Sequence, residues 1–304
     1  FDYIMPGYLS TAEKFRAKYR ITDFDDNANM LLDNLNKQIR PFILRRKKMD
    51  VTKDLPEKME NNIFVELTDE QKKIYVAELE KVKKEIDDIL KQGGEKKAAF
   101  LILPLLTKLR QICIDPKIVY PKYTGGSNKI DSLIYAIKEN IANGNKILIF
   151  TSFKEAMNDV IGHLEKEDIP YYTISGEVAS KERMRRVNEF NERKDSAVFL
   201  IMLKAGGTGL NLASASTVIH LDLWWNPQAE NQATDRAHRI GQTKTVEVIH
   251  IIANGTIEEK ILELQKKKLK LSEKLIDGEI RDKDILSSLS EKDIRELLSN
   301  ENKD

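Results

Sequence analysis

At 304 residues, with 41% hydrophobic and 33% charged side chains, the chain suits one domain with extensions or two domains, and it can build a core; a disordered or fibrous protein is excluded. A net charge of +1 does not by itself mark a nucleic-acid binder, so any such contact must come from local charge. The single cysteine, Cys113, excludes an internal disulfide and a thiolate zinc site, and no apolar run reaches the roughly 18 residues of a membrane span, so a reducing intracellular setting (cytoplasm, nucleoid or nucleus) without membrane contact follows.

Residues 1–60 mix short amphipathic and extended pieces, and Pro41 and Pro56 limit any helix, so this segment reads as a connector. Its run Arg45-Arg46-Lys47-Lys48 is on charge alone a solvated face before it is a nucleic-acid contact. The chain opens on Phe1 without an initiator Met and reads as a fragment of something longer. Residues 61–125 read as a helical protrusion. Thr68-Asp69-Glu70-Gln71 has a capping-box pattern, and Tyr75, Leu79, Val82, Ile86 and Ile89 recur every three or four residues until Gly93-Gly94. That apolar stripe needs a partner, and residues 98–114, interrupted by Pro104, are the nearest; together they predict a helical hairpin standing off the main body.

Over residues 126–253, helices alternate with short β-branched runs. Ser127 caps a helix with Ile130, Leu133, Ile134, Ile137 and Ile141 inward, and Gly144 ends it. Strands are predicted at 146–150, 171–174, 197–203, 217–221 and 246–252, with helices at 180–193 and 227–240 and a further one capped by Ser152 with Glu155. This predicts an α/β fold, a mostly parallel sheet covered by helices on both faces. Residues 254–304 read as a brace helix carrying Lys266, Lys267, Lys268 and Lys270 up to Asp277-Gly278, then a short helix near Ser290 to Leu298 without an assigned role. The histidines, at 163, 220, 238 and 250, fall on separate elements and form no metal-ligand pair at helical spacing.

Most of the chemistry lies between Phe199 and Gln242. The strand 199–203 stops at Lys204, and Ala205-Gly206-Gly207-Thr208-Gly209 then places three glycines in four positions. Such a turn can aim successive amide N–H groups outward beside a lysine, making a concavity for an anion, phosphate above all. Asn226 as N-cap and Pro227 at the first helical position open a helix carrying Gln232, Asp235, Arg236 and Arg239; spaced three apart, the arginines project from one face. Arginines on an exposed helix are more often solvated than catalytic, glycines can simply make a tight turn, and of two neighbouring tryptophans one is expected to pack inward.

KAGGTGLNL, then DLWWNP, then QATDRAHRIGQ resemble, in order and separation, the last two motifs of superfamily-two helicase-like ATPases, and of these most closely the SWI/SNF family, in its bacterial type. KILIFTSF and ISGEVASKERMRRVNEFN are similar to the preceding motifs, and FDYIMPG, IRPFILRRKKMDV and LRQIC to blocks between that family's two motor lobes. The departures are Ser127-Asn128-Lys129, where the family has Ser-Gly-Lys, and Lys204, where it has Arg. The resemblance implies a RecA-like C-terminal motor lobe. It implies that Arg236 and Arg239 stabilise charge on the γ-phosphate of ATP while Gln232 couples nucleotide state to lobe position. It places Gly207, Gly209 and Asp235 against ATP, and Lys204, Ala205, Gly206, Thr208, Trp225, Ser152 and Phe153 against double-stranded DNA.

A self-sufficient motor also needs a GxxxxGK[ST] loop and an acidic magnesium motif, and neither occurs in these residues. ATP and Mg²⁺ are therefore expected mainly on an N-terminal RecA-like lobe of the same protein, with duplex DNA and a DNA-bound protein substrate as further partners, and the chain alone is expected to be inactive. Two alternatives stand beside half of a DNA translocase. One is a non-catalytic lobe that docks DNA or protein; the other is half of a strand-separating helicase.

Overall fold

Every run that patterning marked as a strand joins one sheet. A computed structural model describes residues 1–19, 26–44, 55–91, 95–203, 205, 209–274 and 291–299, which fall into two compact units, residues 1–51 with 267–279 and residues 52–266 with 280–304. The Arg45-Arg46-Lys47-Lys48 run, Gly93-Gly94 and Asp277-Gly278 lie outside the described residues. The first unit holds α1 (Ala12–Lys18) and α2 (Asp26–Ile39). Thr11 caps α1 by accepting from the Lys14 N–H, and the Phe1, Tyr8 and Phe42 rings pack together.

In the second unit the strands are β1 (Lys58–Val65), β2 (Ile147–Thr151), β3 (Tyr171–Ile174), β4 (Val198–Met202), β5 (Thr217–His220) and β6 (Val246–Ala253). Their order is β1-β6-β5-β2-β4-β3, and each of these pairings is parallel. The helices are α3 (Asp69–Lys91), α4 (Glu95–Ile114), α5 (Asn128–Ala142), α6 (Lys154–Lys166), α7 (Ser180–Glu192), α8 (Pro227–Thr234), α9 (Ile257–Lys274), which belongs to this unit as far as Lys266, and α10 (Glu291–Leu297). Both faces of the sheet are covered, and the strand period of two sorts the side chains. Ile147 and Ile149 pack with Leu133 and Ile137 of α5 and Val160 of α6, whereas Leu148 and Phe150 pack with Val187 and Phe190 of α7 and Ala233 of α8. Ser127 caps α5 as expected, accepting from the Ile130 N–H, and Gly144 follows that helix at φ +72°.

Patterning did not show β1. Its sequence, KMENNIFV, has no alternation because it is an edge strand with seven of its eight residues exposed. Parallel pairing with β6 along the full length, from Lys58 opposite Val246 to Val65 opposite Ala253, makes it a strand all the same.

The hairpin of α3 and α4 forms, with three corrections. Thr68 accepts from the Gln71 N–H, but the Gln71 amide does not return to close the box; it donates across to the Ile112 and Cys113 carbonyls at 2.8 and 3.2 Å. Pro104 does not interrupt α4, which runs through it. Nor does the hairpin stand off. Tyr75, Leu79, Leu106 and Leu109 share one buried cluster with Leu223, Trp225, Ile252, Ile257 and Ile261, and Ile294, Leu297 and Leu298 of the last helix complete it. The terminal helix that lacked a role thus covers the hairpin, where Arg295 also meets Asp87 at 2.9 Å.

Lys129, 1% exposed, pairs with the fully buried Glu258 at the start of α9, and the same carboxylate accepts from the Ala253 N–H at 2.9 Å. Removing one partner strands a charge in the core. Lys129→Met should therefore lower unfolding stability by about 3–5 kcal/mol, and Lys129→Met with Glu258→Gln should regain most of the loss. Chemical denaturation of both variants measures the difference.

Candidate functional site

Among the described residues read as functional, Ser152 and Phe153 follow the carboxyl end of β2, whereas Arg236 and Arg239 lie toward the amino end of β5, on a turn held by Leu212 and by Gln242, which reaches Ala215 just before that strand. Asn226 caps α8, accepting from the Gln228 N–H at 3.0 Å, with Pro227 next. The helix stops at Thr234 rather than reaching Ile240. Arg236 and Ala237 donate back to the Ala233 and Thr234 carbonyls in tighter, three-residue turns, and the Arg236 carbonyl is captured by the Leu212 N–H at 3.0 Å. Gln242 pins the end of the turn, donating to the Ala215 and Ala237 carbonyls at 2.7 and 3.2 Å. Arg236 and Arg239 are therefore aimed by a turn, not by one helix face.

Both arginines are half-buried, and among the described residues neither has an ion-pair partner within 4 Å. Arg239 donates to the Leu210 carbonyl at 3.2 Å, while the buried Arg236 Nε has no hydrogen-bond partner. Burial, and then the neighbouring Arg239 charge, pull the Arg236 pKa below the usual guanidinium range, with Asp235 opposing. Two adjacent cations with an orphaned buried donor fit an anionic oxygen. Gln232 and Asp235 are exposed beside them, and Gly209, also exposed, adopts φ +45°, a left-handed conformation that glycine tolerates. Lys204, Gly206, Gly207 and Thr208 lie outside the described residues, and Ala205 is buried at 7% exposure.

The structure corrects two site expectations. Trp225, expected to face DNA, is 1% exposed, because Leu223 and Trp225 point the same way into the cluster beneath the hairpin. Phe153, at 8% exposure, has a packed ring, leaving only its backbone for contact. Phe153, not Ser152, is the N-cap of α6, and no side chain caps that helix; the half-buried Ser152 instead donates its N–H to Asp222.

Sequence reasoning missed the buried polar residues behind these loops. Arg110 Nη2 donates to Asp222 Oδ2 at 2.7 Å and to the Leu223 carbonyl at 2.6 Å. Asp222 Oδ1 accepts from the Thr151 hydroxyl and the Ser152 N–H, both at 2.8 Å. The available signal was a charged residue inside each of two apolar runs, LRQIC and HLDLWW. The histidines too are less scattered than their elements suggested, since the parallel register sets His220 opposite His250 with rings 4.9 Å apart. Burial holds both below the usual histidine range, and His220 Nε2 shares a 3.1 Å hydrogen bond with the Thr234 hydroxyl at the end of α8. No group of three metal-ligating side chains occurs among the described residues, and no described helix is long and apolar enough to cross a membrane.

A parallel sheet covered by helices on both faces, with a half-buried arginine turn, is the architecture of a helicase-like ATPase lobe. The helicase conserved C-terminal domain matches residues 128–241, and the SNF2-related domain matches residues 1–118. The SWI2/SNF2 ATPase C-terminal domain of Sulfolobus solfataricus is 30% identical with a TM-score of 0.63, over 80% of this chain and 99% of that one. The core of that ATPase in complex with double-stranded DNA is 34% identical with a TM-score of 0.61, over 97% of this chain and 62% of that one. The putative ATP-dependent helicase/translocase YwqA of Bacillus subtilis is 37% identical over 98% of this chain and 32% of its own length. The chain belongs to the SWI2/SNF2 family of ATPases. It spans 28–32% of the length of the bacterial relatives it matches.

Glu230, on α8, is buried at 5% exposure, accepts from the Trp224 N–H and from Gln265 Nε2, and is pushed up to about 8, chiefly by burial. The folded chain thus keeps a proton that the unfolded chain releases above its ordinary value of 4.5, so stability falls as pH rises from there to about 8. Glu230→Gln removes that slope. The melting-temperature difference, variant minus wild type, should grow more positive between about pH 5 and about pH 8 and level off above, as differential scanning fluorimetry will show.

Proposed function

We propose that the chain is the arginine-bearing second lobe of an ATP-dependent motor that moves along double-stranded DNA without separating its strands. The observation that carries this reading is the Arg236–Arg239 pair, two half-buried guanidinium groups without a carboxylate partner among the described residues and with an unpaired Nε. In this reading residues 1–60 connect the lobes, 61–125 form the protrusion, 126–253 the RecA-like lobe and 254–304 the brace. ATP and Mg²⁺ bind mainly to a partner lobe that supplies the phosphate loop, and the chain alone does not turn over ATP. Bound Mg²⁺ supplies charge neutralisation at the phosphates. Arg236 and Arg239 reach the γ-phosphate, Gln232 links nucleotide state to lobe position, and Gly207, Gly209 and Asp235 lie on the nucleotide side. The duplex meets Ser152, the Phe153 backbone, Lys204, Ala205, Gly206 and Thr208; Trp225 supports this face from the core. The dsDNA complex of the Sulfolobus solfataricus relative supports the duplex as ligand. A protein bound to that DNA is the cargo the reading allows.

A guanidinium brought to developing γ-phosphate charge is worth about 10³ to 10⁵ in turnover, and lysine lacks the planar fork that meets two oxygens. In the motor with both lobes present, Arg236→Lys and Arg239→Lys should each remove most DNA-stimulated hydrolysis while leaving nucleotide affinity and melting temperature close to wild type. Near-normal turnover in both variants would take the arginines out of the reaction.

A further inference from the structure

We infer that Arg110 is a positioning residue for DNA contact: from helix α4 it sets, through Asp222 and Thr151, the backbone of Ser152 and Phe153, which the proposed reading lays against the duplex. The inference rests on that reading. Arg110 is 2% exposed, and its guanidinium lies 5.1, 5.4 and 5.5 Å from the ring centroids of Phe153, Trp224 and Trp225. Those rings fix the plane of the fork, and the fork fixes Asp222 at 2.7 Å. The far oxygen of Asp222 holds the Thr151 hydroxyl and the Ser152 N–H. Thr151 distributes the constraint in two directions. Its hydroxyl accepts from the Phe153 N–H at 3.3 Å, and its carbonyl accepts from the Leu203 N–H at 2.9 Å. Ser152 and Phe153 are the whole connection from β2 to α6, and Leu203 directly follows β4.

The links from Arg110 to Thr151 are buried, so water does not substitute for a lost partner. Without Arg110, Asp222 would be a buried carboxylate with no counter-ion; it would have to take up a proton or draw in water, and either change loosens its hold on Thr151 and Ser152. The hairpin, the Ser152–Phe153 backbone and Leu203 therefore form one mechanical unit, and a tilt of α4 at Arg110 is passed to all of them.

The test is binding of the 304-residue chain to a mixed-sequence duplex by fluorescence anisotropy across a salt series, with melting temperatures on the same preparations. Three changes are compared. Ser152→Asp places negative charge in the loop itself; Thr151→Val cuts the relay while keeping the Arg110–Asp222 pair; Arg110→Met with Asp222→Asn cuts it upstream without leaving a lone charge. Ser152→Asp should weaken binding about tenfold, and Thr151→Val about fivefold with the salt slope lowered by about one. Adding Thr151→Val to the Arg110→Met/Asp222→Asn variant should cost nothing further, since both cut one path. If Ser152→Asp weakens binding but folded Thr151→Val and Arg110→Met/Asp222→Asn proteins keep wild-type affinity and slope, the buried pair only holds the core and the inference falls. If Ser152→Asp also changes nothing, the loop does not meet DNA, and the reading beneath the inference fails with it.

Discussion

A charge taken out of water must find its partners inside the protein, and the buried Arg110–Asp222 pair meets that demand through Arg110 Nη2 while Arg110 Nε stays unpaired. Desolvating two such ions costs several kcal/mol each, recovered only when geometry and the remaining hydrogen bonds are good. Here Asp222 accepts three hydrogen bonds and Arg110 adds a carbonyl and three aromatic faces. Much follows from that one contact. It docks the helical hairpin on the sheet, turns Trp224 and Trp225 inward, and fixes where the chain leaves β2 and β5. The Lys129–Glu258 pair does the same work between α5 and the start of α9, and the Tyr75 hydroxyl, accepting from the Ile257 N–H at 2.7 Å, ties the hairpin to that same start.

The parallel sheet was legible because its inner strands are short β-branched runs buried on both faces, as in ILIFT and TVIH. Strand β1 was not, because an edge strand owes its place to backbone pairing, which leaves no mark on side-chain pattern. The caps Thr68, Ser127 and Asn226 were readable from residue type, whereas Ser152 lies one residue before the cap position, Phe153, and its N–H goes to Asp222, seventy residues away in sequence, in place of the Glu155 carboxylate that a capping box would use. Long-range competition of this kind also turned Gln71 across the hairpin. Gln232, Asp235, Arg236 and Arg239 lie within eight residues of one another, so the sequence alone could group them as a candidate set. Their support was hidden, because Arg110, Asp222 and the stacked His220 and His250 meet only through tertiary packing and strand register.

The tight turn after Thr234 matters for the chemistry. Side chains on an ideal helix are aimed by its axis, but here the Leu212 N–H and the Gln242 amide hold the backbone of the turn directly. Arg236 and Arg239 are thereby kept close despite their mutual repulsion, an arrangement with a cost in the isolated chain that a phosphate anion would relieve. Beneath them, Glu230, Thr234 and the two histidines attach α8 to the sheet and to α9.

The central claim is that these arginines complete an active site whose phosphate loop lies on another lobe. Its most direct test is to titrate this chain, tethered and untethered, against a SWI2/SNF2-family lobe that carries the phosphate loop but no arginine turn, and to measure DNA-stimulated ATP turnover. The account predicts no turnover from either part alone and turnover from the pair that saturates at equal stoichiometry. Turnover by this chain alone, or a folded, tethered pair that stays inactive with DNA and Mg²⁺ supplied, would contradict it.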